Sequence, residues 1–169
     1  MQWCLGLYAS GSTWLFNVVR EVMAATIGAP HGVFVAHGVD LEGLEGTRRT
    51  LIVKTHDTDP PAEAWLSAHA AAIWVTIRDP RDSVTSLMRY HDFPFAEALE
   101  SVAASARICA RHASDPRAIL LRYESGFIDN VVTLDVIGTA FHAPMAPNDR
   151  ARIFRNSRRK AVEIGRAHV

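Results

Sequence analysis

Four residues near the amino terminus have the types and the spacing that bind a phosphate group. Gly6 is followed by Gly11, Ser12 and Thr13, which is the P-loop spacing except that a serine replaces the lysine. In nucleoside triphosphatases that lysine reaches the β- and γ-phosphates, so its absence argues against triphosphate hydrolysis. Backbone N–H groups and hydroxyls remain, and they can hold a single phosphate. Taken alone, the same residues also fit a plain glycine–serine turn between a strand and a helix.

A second group of reactive side chains consists of Lys54, Thr55 and His56 at the end of a predicted strand. A histidine here can act as a general base near neutral pH, and the lysine two residues before it projects from the same side of the strand. None of the eight histidines has metal-ligand spacing such as HExxH, so we predict no metal site. A solvated or packed side chain is the other interpretation of a lone histidine, and we favour it for the other seven.

A third group follows another predicted strand, in the sequence RDPRDSVTS from Arg78 to Ser86. Arginine binds phosphate through two parallel hydrogen bonds, and Ser86, two helical turns further on, adds a hydroxyl. A surface arginine before a capped helix fits the same letters. The sequence RYES then places Tyr123 and Glu124 at the end of a fourth strand.

The hydrophobic pattern predicts a scaffold that brings these strand ends together. Short apolar runs predict buried strands at 2–8, 50–56, 72–78 and 118–123. Helical periodicity marks two apolar faces, formed by Leu15, Val18, Val19, Val22 and Met23 and by Phe95, Leu99, Val102, Ala106 and Cys109. Asp79 as N-cap and Pro80 behind it predict a third helix. The alternation predicts an α/β fold: three layers, α/β/α, around a mainly parallel sheet of about four to five strands, with the reactive groups at its carboxyl edge.

The remaining segments are less regular. We expect a loop-rich excursion over 31–49 with one short strand at 33–36, and helical structure over 127–141. The chain of 169 residues shows no linker and no repeat, which predicts a single domain over residues 1–169.

The composition excludes some classes of partner. Lysine plus arginine and aspartate plus glutamate both number 18, so no net field attracts nucleic acid or an anionic membrane, and an anionic ligand needs a local cluster of cations.

No run reaches the roughly 18 to 20 apolar residues of a membrane helix, and the uncharged start lacks a basic signal region. Cys4 and Cys109 predict buried free thiols, so we expect a cytoplasmic protein.

In their order along the chain, these motifs resemble those of sulfotransferases that use 3′-phosphoadenosine 5′-phosphosulfate. The sequence ASGSTW at 9–14 is similar to the phosphosulfate loop of that family, and KTH at 54–56 matches its second strand end. The run from Arg78 to Ser86 matches its 3′-phosphate motif, and RYE at 122–124 resembles its tyrosine-containing fourth strand end. The ordered matches span residues 2 to about 124 and imply a P-loop-like nucleotide-binding topology.

The resemblance also implies a role for each matched residue. The implied nucleotide-binding residues are Ser10, Gly11, Ser12, Thr13, Trp14, Arg78, Ser86 and Tyr123. The loop would hold the 5′-phosphosulfate, Trp14 would face the adenine, and Arg78 with Ser86 would bind the 3′-phosphate. His56 would remove the acceptor proton, and Lys54 would steady the sulfuryl oxygens, leaving adenosine 3′,5′-bisphosphate as product. The acceptor would be a small molecule, a carbohydrate or a lipid, in a pocket that residues 31–49 and 90–95 line.

Two departures from the family pattern leave alternatives open. The family has a lysine or arginine just before the SG of its loop, and here that residue is Ala9. Its carboxyl-terminal RKG corresponds here to Arg158–Arg159–Lys160 followed by alanine, a stretch that fits a solvated basic helix face equally well. A nucleotide-binding module with weakened catalysis is therefore the second hypothesis, and a P-loop kinase is a less favoured third.

Overall fold

The structure, a computed structural model, describes residues 1–44, 50–142 and 145–164, and of residues 159–164 only the backbone. Within these ranges the strands are β1 (Gln2–Gly6), β2 (His31–Phe34), β3 (Leu51–Thr55), β4 (Ala72–Ile77) and β5 (Ala118–Arg122). The helices are α1 (Ser12–Thr26), α2 (Pro60–His69), α3 (Pro80–His91), α4 (Phe95–His112), α5 (Val132–Ala140) and α6 (Pro147–Ile164). Two short 3₁₀ helices lie at Gly38–Leu41 and Tyr123–Ser125.

The described strands form one parallel sheet in the order β2-β3-β1-β4-β5. The central strand β1 pairs with β3 through Leu5 opposite Thr55, and with β4 through Gly6 opposite Thr76. This register aligns the carboxyl ends of the strands at one edge, from which the loop to α1 also leaves. The predicted parallel sheet of four to five strands is confirmed.

Side-chain alternation along the strands explains the three layers. Trp3 and Leu5 of β1 lie in a core with α2 and α4. Cys4, between them, lies in a second core with α1, α5 and α6, together with Ile52 of β3 and Trp74 of β4. Because the central strands are covered on both faces, their sequences are continuous apolar runs, which is why they were recognisable as buried strands.

Side-chain caps start two of the helices at the carboxyl edge. Asp79 accepts a hydrogen bond of 2.9 Å from the Arg81 N–H and Pro80 opens α3, as predicted. The helix α2, which the sequence pattern did not predict, starts in the same way, because the Asp59 side chain accepts from the Ala62 N–H at 2.8 Å. Only Ala62 and Leu66 of α2 are fully buried, so its apolar face is too narrow to give a clear helical period.

Two predicted boundaries and one predicted face differ from the structure. The second strand begins at His31 rather than at residue 33, since its pairing with β3 starts opposite Leu51. The helix expected from residue 127 begins at Val132. In α4, Phe95 and Leu99 are exposed; the buried face consists of Ala98, Val102, Ser105, Ile108, Cys109 and His112.

Both cysteines are buried and free, as predicted. Burial raises the pKa of the Cys109 thiol to about 12, so the thiol is protonated and unreactive at neutral pH. None of the helices in the described ranges is both long enough and apolar enough to cross a membrane.

Gly6 lies at a crowded contact between the sheet and α1. A Cβ atom added to Gly6 would lie 2.4 Å from Ser12 Cβ and 2.4 Å from Thr76 Oγ1. Gly6 does not have a positive φ, so the requirement for glycine here is one of space. The end of β1, the start of α1 and the end of β4 can meet only because this residue has no side chain.

We therefore expect Gly6→Ala to lower the free energy of unfolding by about 3 kcal/mol, the upper end of the usual cost of overpacking. Urea denaturation of the variant and of the wild type measures the loss. Gly43→Ala is the matched control, because Gly43 has a φ of 78° with open space around its missing Cβ. Gly43→Ala should lower the free energy of unfolding by only about 1 kcal/mol, because alanine is less stable than glycine in the left-handed backbone conformation. Equal losses in the two variants would contradict a steric role for Gly6.

Candidate functional site

The loop between β1 and α1 is held by its own side chains. Ser10 is fully buried; its N–H and its hydroxyl both donate to the Leu7 carbonyl, and its hydroxyl lies 2.7 Å from the Thr76 hydroxyl. Ser10 therefore fixes the loop to β4, and its donors are not free for a ligand. This differs from the role that the sequence resemblance implied for Ser10.

Two left-handed residues turn the loop toward the helix. Gly11 has a φ of 84°, and a Cβ there would lie 2.8 Å from the Ile128 side chain. Ala9 has a φ of 56°, which is uncommon for a residue with a side chain. After this turn α1 begins at Ser12, and its first N–H groups have no preceding turn to bond with. These free donors and the helix dipole make the start of α1 favourable for an anion.

Lys54 reaches the start of α1 from the neighbouring strand. It lies opposite Cys4 in the sheet, on the side that faces α1, and its Nζ donates to the Thr13 hydroxyl at 2.8 Å. The Phe34 ring lies 5.7 Å from the same Nζ. Burial lowers the pKa of Lys54, and its hydrogen bond goes to a neutral hydroxyl instead of a carboxylate. The ammonium group is therefore available to an anion at the loop.

His56 is held in one tautomer. Its Nδ1 lies 2.7 Å from the Gly6 carbonyl oxygen, which can only accept, so Nδ1 carries the proton and Nε2 has the free lone pair. Nε2 faces the loop, where the Ser12 hydroxyl lies 3.5 Å away, at the limit of a hydrogen bond. The atom that can accept a proton is thus directed at the start of α1.

The pKa of His56 falls from 6.5 to about 4 because burial penalises the imidazolium, and the charge of Lys54 lowers it further. The hydrogen bond to the Gly6 carbonyl opposes both effects. At neutral pH the ring is therefore uncharged and its Nε2 lone pair is present, which is the state that a general base needs.

Arg78, Ser86 and Tyr123 lie close together near the ends of β4 and β5. The Arg78 Nη1 donates to the Ser86 hydroxyl at 3.1 Å and to the Ala9 carbonyl at 3.0 Å. Its guanidinium carbon lies 4.4 Å from the centre of the Tyr123 ring. The Nε of Arg78 is buried and has no hydrogen-bond partner within the described part of the chain. Through its hydrogen bond to the Ala9 carbonyl, this cluster adjoins the loop between β1 and α1.

The position of Tyr123 depends on a contact between strand ends. Glu124 accepts a hydrogen bond of 2.7 Å from the Asp79 N–H, the residue after Arg78, and this bond lowers the pKa of Glu124. Ile77 is paired with Arg122 in the sheet. The ladder and the Glu124 contact together keep the Tyr123 ring over the Arg78 guanidinium.

A cleft of about 270 Å³ lies over the loop, over Lys54 of β3 and over His56 just after that strand. Its lining residues are Tyr8, Ala9, Gly11, Ser12, Thr13, Lys54, His56, Leu87, His91 and Phe93. His91 and Phe93 fall in the 90–95 segment expected to line the acceptor pocket, whereas Tyr8 and Leu87 were not anticipated. Tyr8 directly precedes the SG-containing motif, and that adjacency was the only sequence signal for it.

Other sequence-predicted residues lie differently or outside the described part. Trp14 is only 5% exposed and packs edge-on against Phe127, with ring centres 5.6 Å apart. It therefore lies in the core instead of on the wall of the cleft.

Arg158 lies 3.5 Å from Asp129, while the Arg159 and Lys160 side chains and residues 45–49 of the 31–49 excursion fall outside the described residues. In the described ranges, no group of three or more His, Cys, Asp or Glu residues is arranged to hold a metal ion.

Comparison with known proteins finds a similar fold but no matching sequence. No protein-family model and no curated protein matches the sequence. Among solved structures, the fold matches the crystal structure of mouse sulfotransferase SULT7A1 complexed with PAP, with a TM-score of 0.66 at 17% identity. The fold resembles that of a sulfotransferase. The match covers 92% of this chain and 63% of that chain, so the chain spans less than two thirds of the length of that sulfotransferase.

The lowered pKa of His56 predicts how stability depends on pH. In the unfolded chain the histidine titrates near 6.5, and in the folded protein near 4. Between these values only the unfolded state binds the proton, so His56 makes the protein less stable as the pH falls from 6.5 to 4. The full effect is at most about 3 kcal/mol.

We expect His56→Gln, whose amide can still donate to the Gly6 carbonyl, to flatten this part of the stability profile. Urea unfolding at several pH values between 4 and 7 measures it. His31→Gln, on the exposed edge strand, is the control and should keep the wild-type slope. An unchanged slope in His56→Gln would mean that the buried imidazole is not the group responsible.

Proposed function

We propose that the protein is a sulfotransferase that moves a sulfuryl group from 3′-phosphoadenosine 5′-phosphosulfate to an acceptor hydroxyl or amine. The observation that carries the proposal is the convergence of two anion-binding clusters on one sheet edge. One is the start of α1 with Lys54; the other is Arg78 with Ser86 and Tyr123. A nucleotide with a 5′-phosphosulfate and a 3′-phosphate presents two anions that match such a pair, and the fold likeness to a sulfotransferase supports the same assignment.

The proposed binding mode places one anion at the start of α1 and the other at the Arg78 cluster. The first N–H groups of α1 and the Thr13 hydroxyl would bind the 5′-phosphosulfate. The Arg78 guanidinium, with the Ser86 hydroxyl beside it, would bind the 3′-phosphate. Tyr123 would line the nucleotide site. A contact of Trp14 with the adenine would require more of its ring to become accessible, because Phe127 covers it.

The proposed chemistry is in-line transfer. The acceptor oxygen forms a bond to sulfur while the bond between sulfur and the phosphate oxygen breaks, and the leaving phosphate takes that electron pair. The acceptor proton passes to the free Nε2 of His56. The Nδ1–H of the same ring remains hydrogen-bonded to the Gly6 carbonyl. The Lys54 ammonium, beside Thr13, stabilises the charge on the sulfuryl oxygens and the leaving phosphate.

The electrostatics of the site fit this order of events. A pKa of about 4 makes His56 a weak base in the protein alone. A bound phosphosulfate brings negative charge to the same cleft and raises that pKa, by the rule through which Lys54 lowers it. The histidine becomes a stronger base when the donor is present.

Ala9 favours a second candidate, a nucleotide-binding module with weakened catalysis. The sulfotransferase pattern has a cation at this loop position, and the loss of one well-placed stabilising group costs about 10² to 10³ in rate. This candidate binds the nucleotide in the same way and transfers no sulfuryl group. The two candidates are therefore separated by turnover and not by binding.

For binding, we expect adenosine 3′,5′-bisphosphate to raise the thermal unfolding midpoint more than adenosine 5′-phosphate does, because only the bisphosphate engages Arg78. ATP with magnesium should have little effect. Arg78→Ala should weaken bisphosphate binding by about tenfold or more, the value of a charge-assisted hydrogen bond, and should leave adenosine 5′-phosphate almost unchanged. Arg81→Ala, an exposed arginine paired with Asp79, is the control. An equal loss of affinity for both ligands in Arg78→Ala would mean that this cluster does not bind the 3′-phosphate.

For catalysis, we expect release of adenosine 3′,5′-bisphosphate from the phosphosulfate donor in the presence of a panel of phenol, sugar and sterol acceptors. His56→Ala should abolish this release, and Lys54→Ala should lower it about 10² to 10³-fold; both should retain bisphosphate binding. His69→Ala, on α2 away from the cleft, is the control. Normal turnover in His56→Ala would exclude His56 as the base, and absence of turnover in the wild type would favour the module.

A further inference from the structure

Tyr8 has no role in the sequence motifs, yet it lies directly against the candidate base. Its ring stacks on the imidazole of His56, with centres 4.3 Å apart and an angle of 17° between the planes. Tyr8 follows the end of β1 by two residues, and His56 follows the end of β3 by one. Because Leu5 and Thr55 are paired across these strands, the two side chains emerge at the same place on the sheet edge.

Hydrogen bonds alone do not fix the plane of the imidazole. The bond from Nδ1 to the Gly6 carbonyl is short, but the contact of Nε2 with the Ser12 hydroxyl, at 3.5 Å, is at the limit. The terminal torsion of a histidine is broad, so the ring can turn about its Cβ–Cγ bond. A parallel ring on one face blocks this rotation, because turning would drive an edge of the imidazole into the tyrosine.

The other aromatic neighbour of His56 constrains it less. The Phe34 ring is tilted by 51°, and its centre lies 6.3 Å from that of His56. Tyr8 is thus the nearer and more parallel of the two rings, and it leaves the Nε2 edge of the imidazole directed at the loop.

Tyr8 is itself held in place. Its N–H faces the Ser105 hydroxyl of α4 at 3.5 Å, and its ring packs against the apolar cluster of Leu7, Val84, Leu87, Ala98 and Val102. The next residue, Ala9, turns the chain in the left-handed conformation. Burial, and then the charge of Asp57, raise the pKa of the Tyr8 phenol, so the stacked ring is neutral. The stack therefore belongs to a packed wall of the cleft.

We propose that Tyr8 is a positioning residue, which fixes the plane of the His56 ring and so directs Nε2 at the start of α1. The consequence for turnover rests on the proposed function, whereas the effect on the orientation of His56 does not. The loop that binds the phosphosulfate would thus also orient the base, through Gly6 on its edge and Tyr8 on its face.

The test compares Tyr8→Phe, Tyr8→Leu and Tyr8→Ala by ¹⁵N NMR of the histidine rings, with the His56 signals assigned by their loss in His56→Gln. Nitrogen shifts report the tautomer, and titration reports the midpoint. Several groups near His56 are unchanged in all three variants. They are Lys54, whose charge acts on His56, the Ser12 hydroxyl, His91, which lines the same cleft, and Asp57, the next residue in the chain. A change in His56 therefore reflects the loss of the stacked ring.

In Tyr8→Leu and Tyr8→Ala we expect the Nδ1–H tautomer to become less populated, because the ring can turn away from the Gly6 carbonyl. In Tyr8→Leu, which keeps His56 buried, the loss of that hydrogen bond should also lower the midpoint, since the bond raises the pKa of His56. Turnover should fall roughly tenfold, with the KM for the sulfuryl donor unchanged. Tyr8→Phe should match the wild type in every measurement. The leucine variant fills the apolar space, so the comparison remains available if the alanine variant does not fold.

Unchanged tautomer and midpoint in a folded Tyr8→Leu would overturn the positioning role, even if turnover is measurable. A wild type without turnover, combined with the expected change in tautomer, would overturn the proposed function and leave the positioning role in place. A loss in Tyr8→Phe equal to that in Tyr8→Leu would assign the effect to the hydroxyl and also contradict the role of the stacked ring.

Discussion

The contact around Gly6 is the constraint on which the rest of the site depends. With no Cβ at this residue, Ser12 of α1 and Thr76 of β4 can approach the end of β1 to a distance that any side chain would prevent. The Gly6 carbonyl then holds the proton on His56 Nδ1. The start of the helix, the neighbouring strand and the candidate base are therefore all positioned relative to one residue, through sterics on one side and a hydrogen bond on the other.

Desolvation determines how readily the cleft accepts positive charge. Burial lowers the pKa of both Lys54 and His56, which means that positive charge here is held at a cost in the protein alone. The hydrogen bonds of Lys54 and Arg78 go to hydroxyls and a carbonyl instead of to carboxylates, so these bonds add no opposite charge that would offset this cost. A bound anion does offset it, and in a poorly solvated cleft the interaction is stronger than in water.

The arrangement also shows how a loop without the P-loop lysine can have a cation beside it. Ser12 stands where a P-loop has its lysine, but Lys54 extends from β3 to the Thr13 hydroxyl on the first turn of α1. The charge thus comes from the strand beside the loop instead of from the helix. Ala9 remains without a basic side chain, and its carbonyl instead links the loop to Arg78.

The sequence by itself determined the α/β class, four of the five described strands, the fifth (β2) with a shift of two residues, and the order of the motifs. It could do so because buried parallel strands are continuous apolar runs and because Asp79 and Pro80 cap a helix locally. It did not give α2, whose apolar face is narrow, or the buried face of α4, which depends on what packs against it. The pairing of Lys54 with Thr13, the enclosure of Ser10 and Trp14, and the stack of Tyr8 on His56 were decided only by the tertiary structure. Each joins residues that the strand order brings together, and strand order and register are set by packing across the whole sheet instead of by any local pattern.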